Sequence, residues 1–319
     1  MLDMELHPSD FEAWRGCDKR FELTTLRREP PAWRHPAAVN GTAIHAVIGW
    51  IHSDKLWDKD RDFLATIYAD EFHDAIENPI RPEERGVRIA WGDMGDEFGA
   101  RAKYAADALT MLDGYRADQR NKDAKLLLSE GRWRAELAGF KFAGTLDQAR
   151  DLGDGTVELV DLKSGVERRD EVPLKLWGQG LTYAIALQHA DFSSITDERW
   201  APLSLRVARV TWAHLQDYVP YKKKSVRAGR TYLLGDMRGP VFYPIEVTAQ
   251  ALASHAAELH MFAESVASGR FPRRPSNYEC SRCKVAEACL LGFHGSLDAA
   301  TVASLNVTEG DYESQANGG

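Results

Sequence analysis

Asp161 and Lys163 sit two residues apart at the end of an apolar stretch, "VELVDLKSG" at residues 157–165. Strand side chains alternate, so Val157, Leu159, Asp161 and Lys163 share one face while Val160 and Leu162 point to the other. A second acid, Asp147, lies just upstream in "GTLDQ". If a short turn joins the two strands, Asp147 and Asp161 come side by side, and paired carboxylates repel unless a cation or proton lies between them. Mg²⁺ takes oxygen ligands and keeps several waters, so the two acids and the Leu162 carbonyl suffice for an open site. An ammonium at Lys163 would then favour hydroxide at the metal-bound water and offset negative charge building on a phosphate.

Other residues could join this chemistry. His45, in "GTAIHAVIG", fits either a satisfied core position or a ligand; Gly41 and Gly49, one turn to either side, leave its helix face open to close approach. An imidazole ligand would move preference toward Mn²⁺. Farther on, Leu174, Trp177, Leu181 and Ile185 make a helical apolar stripe. Gln179 and Tyr183, stacked at i and i+4, fall largely on the other side, where they could contact phosphate or support the lysine.

The four cysteines are Cys17 and, in "CSRCKVAEAC", Cys280, Cys283 and Cys289. Three at x2 and x5 spacing suggest a metal centre rather than disulfides, and zinc or a [4Fe-4S] cluster would use the whole set. Zinc ribbons pair two close knuckles, whereas here one ligand comes from the far end of the chain, which favours the cluster. Such a site would clasp the first helix to the C-terminal segment.

The elements that must position these groups follow from periodicity and punctuation. Helices are expected over the first 30 residues, with Ser9 as N-cap, from near Asn40, through much of 54–123, over 171–190 with Asp170 as N-cap, and over 248–269 ending at Gly269. Strands are expected at 125–138, 140–152 and 156–163, forming an antiparallel meander that turns at "GDG" (153–155), with another at 203–213. The last 25 or so residues read as an acidic, mobile tail.

Composition frames the rest. With 319 residues and 44% hydrophobic content, the chain can bury a sizeable core. No apolar run reaches the roughly 18 residues of a membrane helix, and no signal peptide is evident, so a cytoplasmic protein without membrane association is expected. A net charge of −8 excludes a uniformly basic coat. Local basic patches remain: Lys222, Lys223, Lys224, Arg227 and Arg230, and then Arg270, Arg273 and Arg274 in "GRFPRRP". There is no GxxxxGK[ST] loop and no sign of an ATP-driven motor.

Taken in order, His45, "GTLD" (144–147), "DLK" (161–163), Gln179 and Tyr183 resemble the motifs of the PD-(D/E)XK nucleases, specifically the RecB-type branch. The one-plus-three cysteine pattern resembles the iron-sulfur subgroup that includes CRISPR-associated adaptation exonucleases and AddB-type nuclease domains. The resemblance implies an α/β fold with a restriction-endonuclease-like αβββαβ core, a mixed sheet, a helical N-terminal insertion at about 54–123, and an iron-sulfur clasp joining the two ends. It implies a nuclease domain over 1–292 followed by a tail at 293–319, and Mg²⁺- or Mn²⁺-dependent hydrolysis of DNA, commonly from an end. By position, His45, Asp147 and Asp161 would be metal ligands together with the Leu162 carbonyl, and Lys163 the catalytic lysine. Gln179 and Tyr183 would be its supporting pair, and Cys17, Cys280, Cys283 and Cys289 the cluster ligands. Lys222, Lys223, Lys224, Arg227, Arg273 and Arg274 are candidate DNA contacts. Roles in recombination, repair or end processing beside a helicase or recombination partner are implied. Leu146 stands where the motif's name has Pro, and Asp161 where it often has Glu.

Overall fold

The computed structural model describes residues 5–91, 96–165, 172–189, 206–219, 225–227, 230–232, 242–274, 280 and 283–291. Its order is β1 (Glu5–Leu6), α1 (Pro8–Gly16), α2 (Asp18–Phe21), α3 (Pro36–Ser53), α4 (Arg61–Glu77), α5 (Glu97–Ala117) and α6 (Gln119–Lys122). Then come β2 (Leu126–Leu137), β3 (Phe140–Asp151), β4 (Val157–Lys163), α7 (Val172–His189) and β5 (Val207–His214). The remainder is β6 (Ser225–Arg227), β7 (Arg230–Tyr232), β8 (Phe242–Glu246), α8 (Ala249–Ser268) and α9 (Ala286–Leu291). The succession α3, β2, β3, β4, α7, β5 is the expected αβββαβ order, and α4 to α6 form the helical region between its first helix and first strand.

The main sheet is mixed. β2, β3 and β4 form the antiparallel meander, β5 adds parallel to β4, and β8 closes the far edge antiparallel to β5. β2 pairs along most of β3, so β1 and β4 share β3's other edge. There β1 reaches Lys141 and Phe142, and β4 pairs Gln148 through Asp151, which leaves β3 unladdered on that edge at residues 143–147. The His7 ring bonds the Ala143 carbonyl within this gap at 2.9 Å.

Each face of the sheet carries its own core. On one side, Phe11 stacks on Trp14, Phe262 of α8 meets Phe11, Trp14 and Phe21 of the first helices edge to face, and the group packs over Phe142, Leu159 and Val210. On the other, Ile44, Val47, Ile48 and Ile51 of α3 meet Leu64, Phe72, Met111 and Leu112 over Val160 and Leu162. Leu159 and Val160 therefore go to opposite layers, as strand alternation requires.

Several boundaries differ from the sequence expectation for local reasons. Ser9 lies inside α1, and the N-cap is His7, whose N–H donates to Asp10 Oδ2 at 2.8 Å. α3 starts at Pro36 rather than near Asn40, because Pro36 pre-sets the first turn and the His35 ring accepts the Ala37 N–H at 3.1 Å. Asp170 and residues 203–205 lie outside the described residues. β8 escapes a strand reading because Pro244 interrupts it, which an edge strand tolerates. The hairpin of β6 and β7 falls in the basic stretch, where charge obscures alternation. Tyr183 also departs from expectation. It is buried in the first core layer, packed edge to face on Trp133 with centroids 5.7 Å apart, because α7 is buried all round from Leu181 to Leu187.

Candidate metal centre

The β3–β4 ladder stops at Gln148–Val160, and the same register one step further sets Asp147 opposite Asp161. No strand-to-strand bond forms there. Instead, Asp147 turns its carboxylate into the gap, and Oδ2 accepts the Leu162 N–H at 2.6 Å. Its other oxygen, Oδ1, lies 3.2 Å from His45 Nδ1. On β4, Asp161 Oδ2 and Lys163 Nζ are 2.6 Å apart, and the ammonium stands 5.5 Å from the centre of the Trp212 ring on β5. The fork between the two strands thus gathers His45, Asp147, Asp161 and Lys163, drawn from α3, β3 and β4.

A fifth group was not anticipated. Glu130 of β2 brings Oε1 to 3.7 Å from His45 Nδ1, and donor atoms of His45, Glu130 and Asp147 all lie within 4.8 Å of one another. Glu130 has φ +50, left-handed backbone in the middle of a strand. Leu128 is buried before it and Trp133, Ala135 and Leu137 after it, so the alternation shifts by one at this irregularity. α3 admits the side chain because residue 49 is glycine: a Cβ there would come 3.0 Å from Glu130 Cγ, and one on Gly41 would come 3.1 Å from Ser164 Oγ. The sequence signal is slight, an acid two residues after the apolar run Leu126, Leu127 and Leu128 in "KLLLSEGRW".

Electrostatics bind the set together. Burial would lower the His45 imidazole, but Asp147 and Glu130 beside it raise it to about 9. Burial pushes the Glu130 carboxyl up to about 8; His45 opposes this and the neighbouring acids add to it. Burial also works to raise Asp147, yet His45, Lys163 and the Leu162 N–H outweigh it and hold the carboxyl below its ordinary value. Asp161 is raised by burial and by Asp147 against the pull of Lys163. In this state a protonated imidazole offsets crowded acids, a place that a cation of higher charge can take.

On α7, Gln179 Nε2 donates to the Tyr183 hydroxyl at 2.7 Å. Burial, then Asp161 and Asp147, raise that phenol well above its usual range, so the pair lies within the field of the acids.

The remaining candidates lie elsewhere. Cys17 separates α1 from α2, Cys280 is exposed, and Cys283 and Cys289 flank the start of α9. Burial, with lesser effects from Cys289 and Cys17, raises the Cys283 thiol. Among the described residues the thiols do not form a compact ligand set like that of His45, Glu130 and Asp147. Arg273 donates to Cys289 Sγ at 3.2 Å and also bonds its carbonyl. Arg274 reaches the Arg15 carbonyl and Asp18 Oδ1, both at 3.1 Å. Both arginines thus join the C-terminal segment to itself or to the first helices. Lys222, Lys223 and Lys224 lie outside the described residues, and Arg227 ends strand β6.

An αβββαβ core with a His, two strand acids and a lysine at the fork of its sheet defines a nuclease-type α/β protein. The PD-(D/E)XK nuclease superfamily pattern matches residues 5–290, and the chain belongs to that superfamily. Among solved structures, it is similar to a Eubacterium rectale protein whose description as an exonuclease is provisional: 10% identity, TM-score 0.47, covering 96% of this chain and 94% of that one. A second similarity is to the protein SSO0001, with 12% identity, TM-score 0.31, and coverage of 81% and 85%. No curated protein matches the chain. Among the described residues, no helix is long and apolar enough to cross a membrane.

Proposed function

We propose that this member of the nuclease superfamily is a divalent-metal-dependent deoxyribonuclease that degrades DNA from an end, in recombination, repair or end processing, with residues 1–292 forming its nuclease domain. The observation that carries the reading is the meeting of His45, Asp147, Asp161 and Lys163 at one strand fork.

The donor set suits Mg²⁺ or Mn²⁺. Carboxylates predominate, the Leu162 carbonyl lies on the same strand as Asp161, and one imidazole is present. His45, Asp147 and Asp161 would hold the ion, which when bound supplies Lewis acidity toward a phosphate oxygen and makes water a stronger nucleophile at neutral pH. Lys163 places a positive charge where the phosphate gains negative charge, fixed by Asp161 and the Trp212 ring so that little reorganisation is needed. Leu162 N–H holds the Asp147 carboxylate in one orientation. Gln179 and Tyr183 support the lysine side of the site or contact the phosphate.

For the cysteines we adopt a structural [4Fe-4S] cluster. Cys283 lies within electrostatic reach of both Cys17 and Cys289. A tetrahedral zinc with bonds of about 2.3 Å would draw its sulfurs into a tighter group than a cubane cluster does. Anaerobically purified protein should be brown and contain iron and sulfide, with colour lost in Cys283→Ala; stoichiometric zinc in a colourless sample would refute this. A helicase or recombination partner would supply strand opening.

The test is digestion of end-labelled single-stranded and duplex DNA with Mg²⁺ or Mn²⁺. The parent should degrade it, and Asp147→Ala and Lys163→Ala should each lose at least 10²-fold, the scale of removing one transition-state stabiliser. Undiminished digestion by both variants would refute the assignment, and internal cuts in circular DNA would overturn action from an end.

A further inference from the structure

We infer that Glu130 is a protein ligand to the same divalent cation as His45 and Asp147, an inference that rests on the metal-dependent reading above and adds a donor to it. Asp161 is engaged with Lys163, and the compact donor set that the described residues form consists of His45, Glu130 and Asp147. Within that set, Asp147 already has hydrogen-bond partners at both oxygens, Leu162 N–H and His45 Nδ1. Glu130 differs. Its Oε1 is out of contact with solvent and accepts no hydrogen bond, although 3.7 Å away lies an imidazole nitrogen already given to Asp147.

A buried carboxylate oxygen without a donor is costly, and native chains satisfy such atoms or use them. The fold makes room for this one. Residue 49 has no Cβ, which would otherwise press on Glu130 Cγ at 3.0 Å, and Glu130 takes a left-handed backbone, φ +50, where the buried alternation of β2 changes phase between Leu128 and Trp133. A cation between Glu130 and Asp147 would satisfy the orphaned oxygen. With Asp161 it would make the donor set three carboxylates and one imidazole, a combination that suits Mn²⁺.

Mn²⁺ binding to the full-length protein, followed by titration calorimetry and by electron paramagnetic resonance of the free ion, tests this. Glu130→Gln should bind Mn²⁺ at least tenfold more weakly, and the rise in Tm that Mn²⁺ gives the parent should shrink. Without metal, the Tm of Glu130→Gln should equal or exceed the parent's, because an acid has been removed from a crowded set. Gly49→Ala keeps the carboxylate but displaces it, and should weaken Mn²⁺ in the same sense.

Parental affinity in both variants would overturn the inference while leaving the nuclease reading intact. So would a metal-free Tm several degrees below the parent's in Glu130→Gln combined with undiminished binding in Gly49→Ala, since that marks a structural role. A parent that binds no Mn²⁺ sinks both this inference and the metal-dependent reading.

Discussion

The backbone N–H of Leu162 donates to Oδ2 of Asp147 at 2.6 Å, where the β3–β4 ladder would otherwise continue. A side chain thus takes over a hydrogen bond normally made by a strand. Asp147→Asn keeps an acceptor for that N–H, so it should abolish DNA hydrolysis with little change in thermal stability. Asp147→Ala removes the acceptor as well and should cost a further 1–3 kcal/mol or so. Melting curves of the two variants beside an activity assay separate the two effects.

Tyr183 is both a core residue and a member of the site's margin. Tyr183→Phe retains the ring packed on Trp133 but leaves Gln179 without its acceptor. Stability should fall by about 1 kcal/mol. With the Gln179 amide and Tyr183 hydroxyl supporting the proposed catalytic lysine, kcat should fall tenfold or more while KM changes little, and steady-state kinetics on labelled DNA reads this directly.

Beneath the sheet, Arg150 makes no ion pair among the described residues and is only 7% exposed. Its guanidinium donates to Gln148 Oε1 at 2.6 and 3.0 Å and to Asn121 Oδ1 at 2.9 Å, with the Phe242 ring 5.9 Å away. Lysine cannot reproduce that fork. Arg150→Lys should therefore destabilise by about 2–3 kcal/mol, the worth of hydrogen bonds to a charged group, as measured by urea unfolding.

Stability should also decline toward acid. His255 is 4% exposed and its Nε2–H donates to Thr182 Oγ1 at 2.8 Å, since the Thr182 hydroxyl gives its own proton to the Gly178 carbonyl. Burial, aided by Arg15, lowers its pKa to about 4. Above about pH 6.5 both folded and unfolded states hold it neutral and it contributes nothing. Between there and about pH 4 the unfolded chain takes up a proton that the folded one refuses, at a cost of about 1.4 kcal/mol per pH unit. His52, also lowered to about 4 by burial and by Arg150, acts in the same direction. Tm measured from pH 7 to 4.5 should fall less steeply in His255→Gln than in the parent.

Much of this was legible in the chain because the signals were local. The turn glycines set the meander, the alternation in "VELVDLK" sent Leu159 and Val160 to different layers, and the shared register aligned Asp147 with Asp161. What escaped required distance. Glu130 enters the site only through a left-handed residue and a glycine on another element, neither of which periodicity reveals. Tyr183 falls on the polar side of the stripe that Leu174, Trp177, Leu181 and Ile185 define in sequence, yet every residue of α7 from Leu181 to Leu187 is buried, so that stretch leaves no face for solvent. β8 hid behind its proline, and β1 has only two residues.

The hydrogen-bond chain under β3 has one more implication. Tyr115 and Asn121, both supplied by the helical region at 54–123, bond Gln148 and Arg150 from below. Those strand residues immediately follow the acid that turns into the gap. Excising the helices to obtain a smaller enzyme would strand a guanidinium against bare solvent and unseat the strand beside the reacting groups. What looks like an accessory block is the foundation on which the strand edge carrying Asp147 rests.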